Sequence, residues 1–176
     1  NSVADVLKGN ASPSGKLTVT FPVNFADAAS SSNFPVDLTG NVDIVNKNEK
    51  RYEVRNVDYT CYEEDIYVGY RYFDSFGKRV SYPFGYGLSY TTFEYGNPVI
   101  KNENAVYTVT VDVKNVGNRT GKEVVQLYVA APDSKAMNKP EKELKAFAKT
   151  KELKPGETAT VSLTVNAADL ASYNEA

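Results

Sequence analysis

The side chains that could carry chemistry in this sequence are mainly carboxylates, because it contains no histidine and only one cysteine, Cys61. Without histidine, neither a Cys/His zinc site nor a Ser-His-Asp triad can form within the chain. Glu63-Glu64-Asp65 is the only acidic triplet and could supply groups for acid/base catalysis. Acidic residues also favour the N-terminus of a helix, where they interact with the helix dipole, and we favour this structural interpretation.

Three other groups of side chains could bind a ligand, and for each we favour a structural role. Arg71 and Asp74 could clamp a substrate, but an ion pair that fixes the turn over residues 70–77 is the simpler interpretation. Ten of the 13 tyrosines lie within residues 52–95, where they could stack on sugar rings or, as we favour, pack between two domains. The lysines within residues 135–154 are interleaved with glutamates, which indicates a charged, solvated edge strand rather than an anion site.

The charge and the hydropathy of the sequence exclude some classes of partner. Lys and Arg number 20 and Asp and Glu number 22, so there is no basic surplus that would indicate nucleic acid or an anionic membrane surface. The longest apolar runs are far shorter than a membrane span. A single cysteine cannot form an internal disulfide and says little about the compartment. We therefore expect neither nucleic acid nor a membrane as a partner.

Residues 81–93, which we call the aromatic connector, contain five aromatic residues together with Pro83, Gly85 and Gly87. Proline fixes its own φ angle and favours an extended conformation in the residue before it. The glycines permit positive φ values or an approach too close for a Cβ atom. Because five aromatic side chains need a surface to pack against, we predict that the connector is rigid and buried and that it joins two architectures.

The residues before the connector predict a mixed, irregular structure. Residues 1–8 have the apolar spacing of the last turns of a helix, with Gly9 as its C-terminal cap. Apolar and polar residues alternate over Leu17–Phe21, which predicts a short strand that ends at Pro22. Residues 24–50 have no convincing period, and we predict a long loop there.

Residues 60–73 fit two different patterns. Thr60 and Glu63 have the spacing of a capping box, and the apolar residues that follow share one helical face. The segment also alternates as a strand would, at Ile66, Val68, Tyr70 and Tyr72. We favour a short helix that begins near Tyr62, with Gly77 following its end in either case.

From about Tyr95 onward, apolar residues recur at every second position, which indicates short β-strands in a β-sandwich. The predicted elements are strands within residues 107–113, 125–129, 142–153 (with Phe147 as its one large anchor) and 159–165, and a helical turn within 167–173. We count four or five strands, whereas an immunoglobulin-type sandwich has about seven. We therefore predict a truncated sandwich, whose missing strands come from another polypeptide or a second copy, or whose edge stays open.

Several motifs resemble those of one enzyme family, the family 3 glycoside hydrolases, which include the β-glucosidases. Pro83–Phe93 reads PFGYGLSYTTF, like a segment of that family. Pro13–Leu17 is similar to its NPSGKLP segment, with Ser12 and Thr18 in place of the asparagine and the second proline. Tyr67–Asp74 resembles its YVGYRYFD segment. The segments that resemble its fibronectin-type-III-like domain are Lys122–Val129, Lys142–Phe147 and Leu153–Glu157.

This resemblance implies a mainly β fold in two parts. Residues 1–95 would be an irregular α/β segment, the C-terminal end of an α/β-sandwich domain with the aromatic connector. Residues 96–176 would be an Ig/fibronectin-III-like β-sandwich, and the strand count predicts that it is incomplete. In the family, the nucleophilic aspartate lies in a separate barrel domain and the acid/base carboxylate lies further upstream. No stretch of this chain matches either motif, so we assign no catalytic, cofactor-binding or metal-binding residue and expect no cofactor.

The resemblance further implies a fragment of a retaining β-glucosidase-like enzyme that hydrolyses terminal β-linked glucose or xylose. The fragment would act as a scaffold and be inactive alone. Its partners would be the barrel and the rest of the α/β-sandwich domain of the parent enzyme, or a second copy. It would meet an oligosaccharide substrate only through the parent, and a bacterial periplasmic or secreted location is slightly favoured.

The alternative is a stand-alone Ig-like module for carbohydrate binding or adhesion, which the fold alone would permit. Such a module has no reason to carry the helix end, the solitary strand and the long loop that we predict within residues 1–50. A complete small enzyme is disfavoured, because the chain lacks histidine and any paired-carboxylate motif.

Overall fold

The computed structural model describes residues 2–32, 42–45, 51–54, 63–132 and 137–172. The part before the connector contains α1 (Ser2–Leu7), β1 (Phe21–Pro22), 3-10 helices at Phe25–Asp27 and Ala29–Ser32, β2 (Val42–Val45), β3 (Arg51–Val54), α2 (Tyr70–Ser75) and β4 (Val80–Tyr82). Strand β4 runs into the connector and pairs antiparallel with β1, while β2 and β3 pair with each other. No helix in the described ranges is long and apolar enough to cross a membrane.

From the end of the connector onward, the chain forms two antiparallel sheets. Its elements are β5 (Phe93–Tyr95), β6 (Val99–Glu103), β7 (Val106–Asn115), β8 (Val124–Val129), β9 (Glu143–Lys149), β10 (Thr158–Asn166) and a 3-10 helix at Ala167–Leu170. Strand β7 is paired with β10, β5 and β6 in the first sheet, and β8 pairs with β9 in the second. Within the described residues the sheets are not closed, which agrees with the strand count of the sequence.

Alternating apolar residues form the core between the two sheets, as the sequence predicts. Val111 on β7 and Val161 on β10 are cross-strand neighbours, and Val125 on β8 packs against them from the second sheet. Val113 and Leu153 are completely buried. The alternation was informative here because each strand turns one face toward the opposite sheet and the other toward solvent.

Predictions for the part before the connector are confirmed only in places. Gly9 and Gly77 follow α1 and α2 with φ values of +74° and +56°, which confirms the predicted helix ends. The strand predicted over Leu17–Phe21 is wrong in extent, because Leu17 bonds to the connector and only β1 pairs as a strand. The loop predicted over residues 24–50 is wrong in part, since it includes two 3-10 helices and β2. Four residues are too few to show a period, and the rest of that segment lies outside the described residues.

The helix predicted near Tyr62 begins instead at Tyr70, so that prediction is wrong. Gly69 precedes the first helical residue with φ +59° and ψ −133°, a conformation open mainly to glycine. Residues 63–69 form neither the favoured helix nor the alternative strand. Tyr62 and its proposed cap Thr60 lie outside the described residues.

Strand β9 does not use the anchor that the sequence suggested. Phe147 is 69% exposed, so its assignment as the apolar anchor is wrong. Ala146 and Ala148, which alternate with it, pack against the core beside Phe93 and Leu127. The small alanines fit where these two larger side chains already fill the space, and the alternation then turns Phe147 outward.

Candidate functional site

The aromatic connector is tied to the N-terminal part through its backbone. Leu17 N donates a hydrogen bond to Tyr86 O at 2.7 Å, and Gly85 N donates to Leu17 O at 2.8 Å. Gly87 passes so close to Gly15 that a Cβ atom on Gly87 would lie 2.5 Å from the Gly15 carbonyl oxygen. Glycine at position 87 therefore lets the connector and the PSGKL motif, which is Pro13–Leu17, pack backbone against backbone.

Asn115, at the end of β7, joins the C-terminal end of the connector to the sandwich through hydrogen bonds. Its side chain is completely buried, and its Oδ1 accepts hydrogen bonds from Thr91 Oγ1 at 2.6 Å and from Gly117 N at 3.1 Å. Its Nδ2 donates to Arg119 O and Leu153 O, both at 2.8 Å. The amide thus forms four hydrogen bonds, which is its full capacity.

The side chains of the connector are only partly buried, contrary to the prediction. Phe84 and Phe93 are partly covered, whereas Tyr82 is 49% exposed and Leu88 is 66% exposed. Phe21 contacts Tyr82 edge-on, with 6.4 Å between ring centroids, and does not cover it. Within the described residues, hydrogen bonds to the backbone hold the connector more than burial does.

Tyr70, the first residue of α2, bridges the connector and the second sheet. Its ring stacks on Phe84 with 4.6 Å between centroids, and it meets Tyr128 edge-on at 6.0 Å. Its hydroxyl accepts a hydrogen bond from the backbone N–H of Leu144 at 2.8 Å. One tyrosine therefore packs between the N-terminal part, the connector and the sandwich, in the manner that we favoured for the tyrosine cluster.

Two ion pairs join α2 to the start of β9. Arg71 Nε lies 3.4 Å from Glu143 Oε1, and Asp74 Oδ2 lies 3.3 Å from Lys142 Nζ. The pair predicted between Arg71 and Asp74 is therefore wrong, because both side chains reach across to the sandwich. All four side chains are partly exposed, so each pair contributes about 0–1 kcal/mol and serves orientation more than stability.

Glu123 forms a further link, between the PSGKL motif and the sandwich. Its Oε1 lies 2.7 Å from Lys16 Nζ and accepts a hydrogen bond from the Tyr95 hydroxyl at 3.0 Å. The Glu123 side chain is only 12% exposed, so solvent screens the charge of its carboxylate little. Burial, followed by the charge and hydrogen bond of Glu123, raises the pKa of Tyr95 far above its ordinary value.

The remaining charged residues singled out in the sequence do not assemble into a metal site. Residues 63–65 lie in a turn in which Tyr67 N donates to Glu64 O at 2.9 Å, so their predicted place at a helix N-terminus is wrong. In the part of the chain that the structure describes, no three His, Cys, Asp or Glu side chains are grouped to hold a metal ion. Along the lysine-rich edge, Lys145 Nζ lies 3.2 Å from Glu143 Oε2, and Lys135 lies outside the described ranges.

Known proteins match almost the whole chain. A model of the fibronectin type III-like domain matches residues 123–176. Thermostable β-glucosidase B of Acetivibrio thermocellus is 43% identical over 177 residues, a match that covers 98% of this chain and 21% of that protein. A β-glucosidase of Ruminococcus albus is also 43% identical, over 98% of this chain and 16% of its own length.

Solved structures match in the same way. The structure of β-glucosidase 3B from Thermotoga neapolitana in complex with glucose gives a TM-score of 0.83 at 46% identity, over 98% of this chain and 22% of that one. The GH3 β-glucosidase of Bifidobacterium adolescentis gives 0.79 at 36% identity, over 99% and 23%. The chain thus spans about a fifth of the length of the relatives that it matches. Nearly the whole chain is therefore homologous to one segment of the family 3 β-glucosidases.

Proposed function

We propose that this chain is a scaffolding segment of a retaining β-glucosidase and that it supplies no catalytic residue. The observation that carries the proposal is the position of Tyr70, which contacts Phe84 of the connector and the Leu144 backbone of β9 together. Catalytic groups must be held to within about 0.5 Å of their productive geometry, and rigid supporting contacts achieve this. The enzyme would hydrolyse terminal β-linked glucose or xylose with two carboxylates from its other domains.

The proposed division places residues 1–95 in the end of an α/β-sandwich domain and residues 96–176 in a fibronectin-type-III-like domain. The change of architecture near the connector supports this division, because short mixed elements precede it and two antiparallel sheets follow it. Asn115, Glu123 and Leu144 belong to the second part, yet each bonds to a residue of the first part or of the connector.

The proposed partners are the barrel and the remaining α/β-sandwich domain of the enzyme. Large apolar side chains on the N-terminal part support this, because they are at least 47% exposed and would be covered by such domains: Val3, Leu7, Val19, Phe21, Val23 and Phe25. A stand-alone module is not favoured, since the β-glucosidases match this part of the chain as well as the sandwich.

The test is hydrolysis of an aryl β-glucoside and an aryl β-xyloside by the purified chain, alone and mixed with a complementary protein. The complement is the Acetivibrio thermocellus relative from which the matching segment has been deleted. We expect neither protein to hydrolyse either glycoside alone and the mixture to do so. Hydrolysis by the isolated chain would show that it holds its own carboxylate pair and would refute the scaffolding role.

Two variants make this test specific for the contact of α2 with β9. Tyr70→Ala removes the stack on Phe84 and the acceptor for Leu144, and we expect the mixture to lose most of its kcat with little change in KM. Phe147→Ala removes an equally large aromatic side chain that is exposed on β9, and should leave both constants unchanged. Equal kcat values for the two variants would contradict the proposal that Tyr70 positions the active enzyme.

A further inference from the structure

A small aromatic cleft lies beside α2, away from the contacts with β9 described above. Its volume is about 290 Å³, close to the lower end of the range for small-molecule sites. Its lining residues come from the 3-10 helix Ala29–Ser32, from residues 63–67 and from α2 with its C-cap, and they are Ala29, Glu63, Glu64, Tyr67, Tyr72 and Phe76. Neither the scaffolding role nor the contacts of Tyr70 make use of this cleft.

The three aromatic rings form one continuous apolar wall. Phe76 is at its centre, with ring centroids 5.0 Å from Tyr67 and 5.2 Å from Tyr72. Tyr72 and Phe76 are four residues apart at α2 and its C-cap, which places them on one face of the helix. Phe76 is nevertheless 54% exposed, so the wall presents an open aromatic face instead of closing into a core.

The backbone brings carboxylates to the edge of this wall. Tyr67 N donates to Glu64 O at 2.9 Å, and Asp65 within that turn has φ +50°, a left-handed conformation that aspartate tolerates. The turn thereby sets Glu64 and Tyr67 side by side on the lining of the cleft. An open apolar face bordered by acceptors suits a ligand with one apolar face and many hydroxyl donors.

We propose that this cleft binds a pyranose sugar, with the ring against Phe76 and Tyr72 and its hydroxyls donating to the carboxylates of Glu63 and Glu64. An organic cation would also suit aromatic rings, but Lys78 Nζ already lies 5.9 Å from the centroid of Tyr72. Its positive charge disfavours a second cation at the same ring. The sugar class rests on the proposed β-glucosidase role, in which the chain meets glucosides.

The test is titration of the whole 176-residue chain with methyl β-glucoside and with cellobiose, followed by ligand-observed saturation-transfer NMR and by tyrosine fluorescence. Tyrosine fluorescence can be measured without a tryptophan signal, because the chain contains no tryptophan. We expect saturable binding, with an affinity that Phe76→Ala lowers on the order of tenfold, as loss of an aromatic contact implies. Glu64→Gln should lower it less, since the amide still accepts one hydrogen bond. Phe147→Ala, which removes an exposed phenylalanine elsewhere, should bind as the parent does.

Three results would overturn the proposal. They are no saturation by either sugar, an equal response to glycerol at the same concentration, and saturation by tetramethylammonium but not by the sugars. Circular dichroism checks that each variant is folded. If Phe76→Ala unfolds, the affinity of Glu64→Gln, which preserves the size of the side chain, tests the proposal instead. The titration needs no hydrolysis, so its failure would leave the reconstitution result intact, and a failure to reconstitute activity would not remove an observed sugar affinity.

Discussion

Replacement of Asn115 by alanine should destabilise the protein more than any surface change of similar size. The substitution removes an amide that is completely buried and fully hydrogen-bonded. Its loss removes the acceptor of Thr91 Oγ1 and the side-chain donor to Arg119 O, while Gly117 N keeps Thr92 O as its acceptor and Leu153 O keeps Gly121 N as its donor. The structure therefore predicts loss of the link between the connector and the sandwich, together with local solvent entry.

The size of the effect follows from how deeply each partner is buried. The hydrogen bond to Leu153 O is buried, but that oxygen still accepts from Gly121 N at 3.0 Å, so loss of this bond costs about 0.5–1.5 kcal/mol. The other three bonds are only partly buried, so water can replace them at roughly 0.5–1 kcal/mol each. We expect a decrease in the free energy of unfolding of about 3–4 kcal/mol. For a chain of this length, that corresponds to a fall in Tm of about 10 °C.

Chemical denaturation and thermal melting of Asn115→Ala measure this loss directly. Asn102→Ala on β6 is the matched control, because Asn102 is exposed and its loss should change stability by no more than about 0.5 kcal/mol. Thr91→Val removes only the connector hydroxyl, and its effect should be strongly non-additive with that of Asn115→Ala in a double-mutant cycle. A loss below about 1 kcal/mol for Asn115→Ala would refute the reasoning, since four hydrogen bonds that are at least partly buried should together contribute more than that.

Two further predictions concern close packing and pH. Gly87→Ala should destabilise the protein by about 1–3 kcal/mol, because its Cβ would press on the Gly15 carbonyl. Gly15→Ala has open space around it and should be near neutral in the same denaturation experiment; equal effects would contradict the close approach. Because the pKa of Tyr95 is raised on folding, the stability that it contributes is complete below its unfolded pKa of about 10 and is lost at higher pH. Tyr95→Phe should therefore lose less stability than the parent between about pH 9 and pH 11; identical pH profiles would contradict the link to Glu123.

The β-sandwich could be predicted from sequence because burial on one face imposes a period of two on each strand. The elements before the connector could not be predicted equally well, since they are short and their ends depend on distant partners. Leu17 has the pattern of a strand residue, but its backbone pairs with the connector 69 residues away, at Tyr86. The buried face of β9 could not be predicted from the local pattern either. Whether Phe147 points inward depends on the space that Phe93 leaves in the core.

The contacts of the candidate site were the hardest to predict because they join residues far apart in the chain. Asn115 lies at the start of a Gly/Asn-rich segment that reads as a turn, and its one signal was that it continues the buried register of Val111 and Val113. Arg71 and Asp74 looked like partners of each other because they are one helical turn apart. That spacing equally sends both side chains toward β9, and only the packing of α2 on the sandwich decides between these outcomes.

The contacts between the sandwich and the rest of the chain can fix the orientation of the sandwich because they do not lie along one line. A connector alone allows two bodies to rotate about it, whereas contacts at three separated points fix their relative orientation. The sandwich is held at the end of β7 by Asn115, before β8 by Glu123, and on β9 by Leu144. Loss of one contact therefore loosens the orientation, which the connector and the two remaining contacts still restrict. Loss of two contacts frees a rotation, so paired variants should reduce the activity of the reconstituted enzyme by more than the product of their single effects.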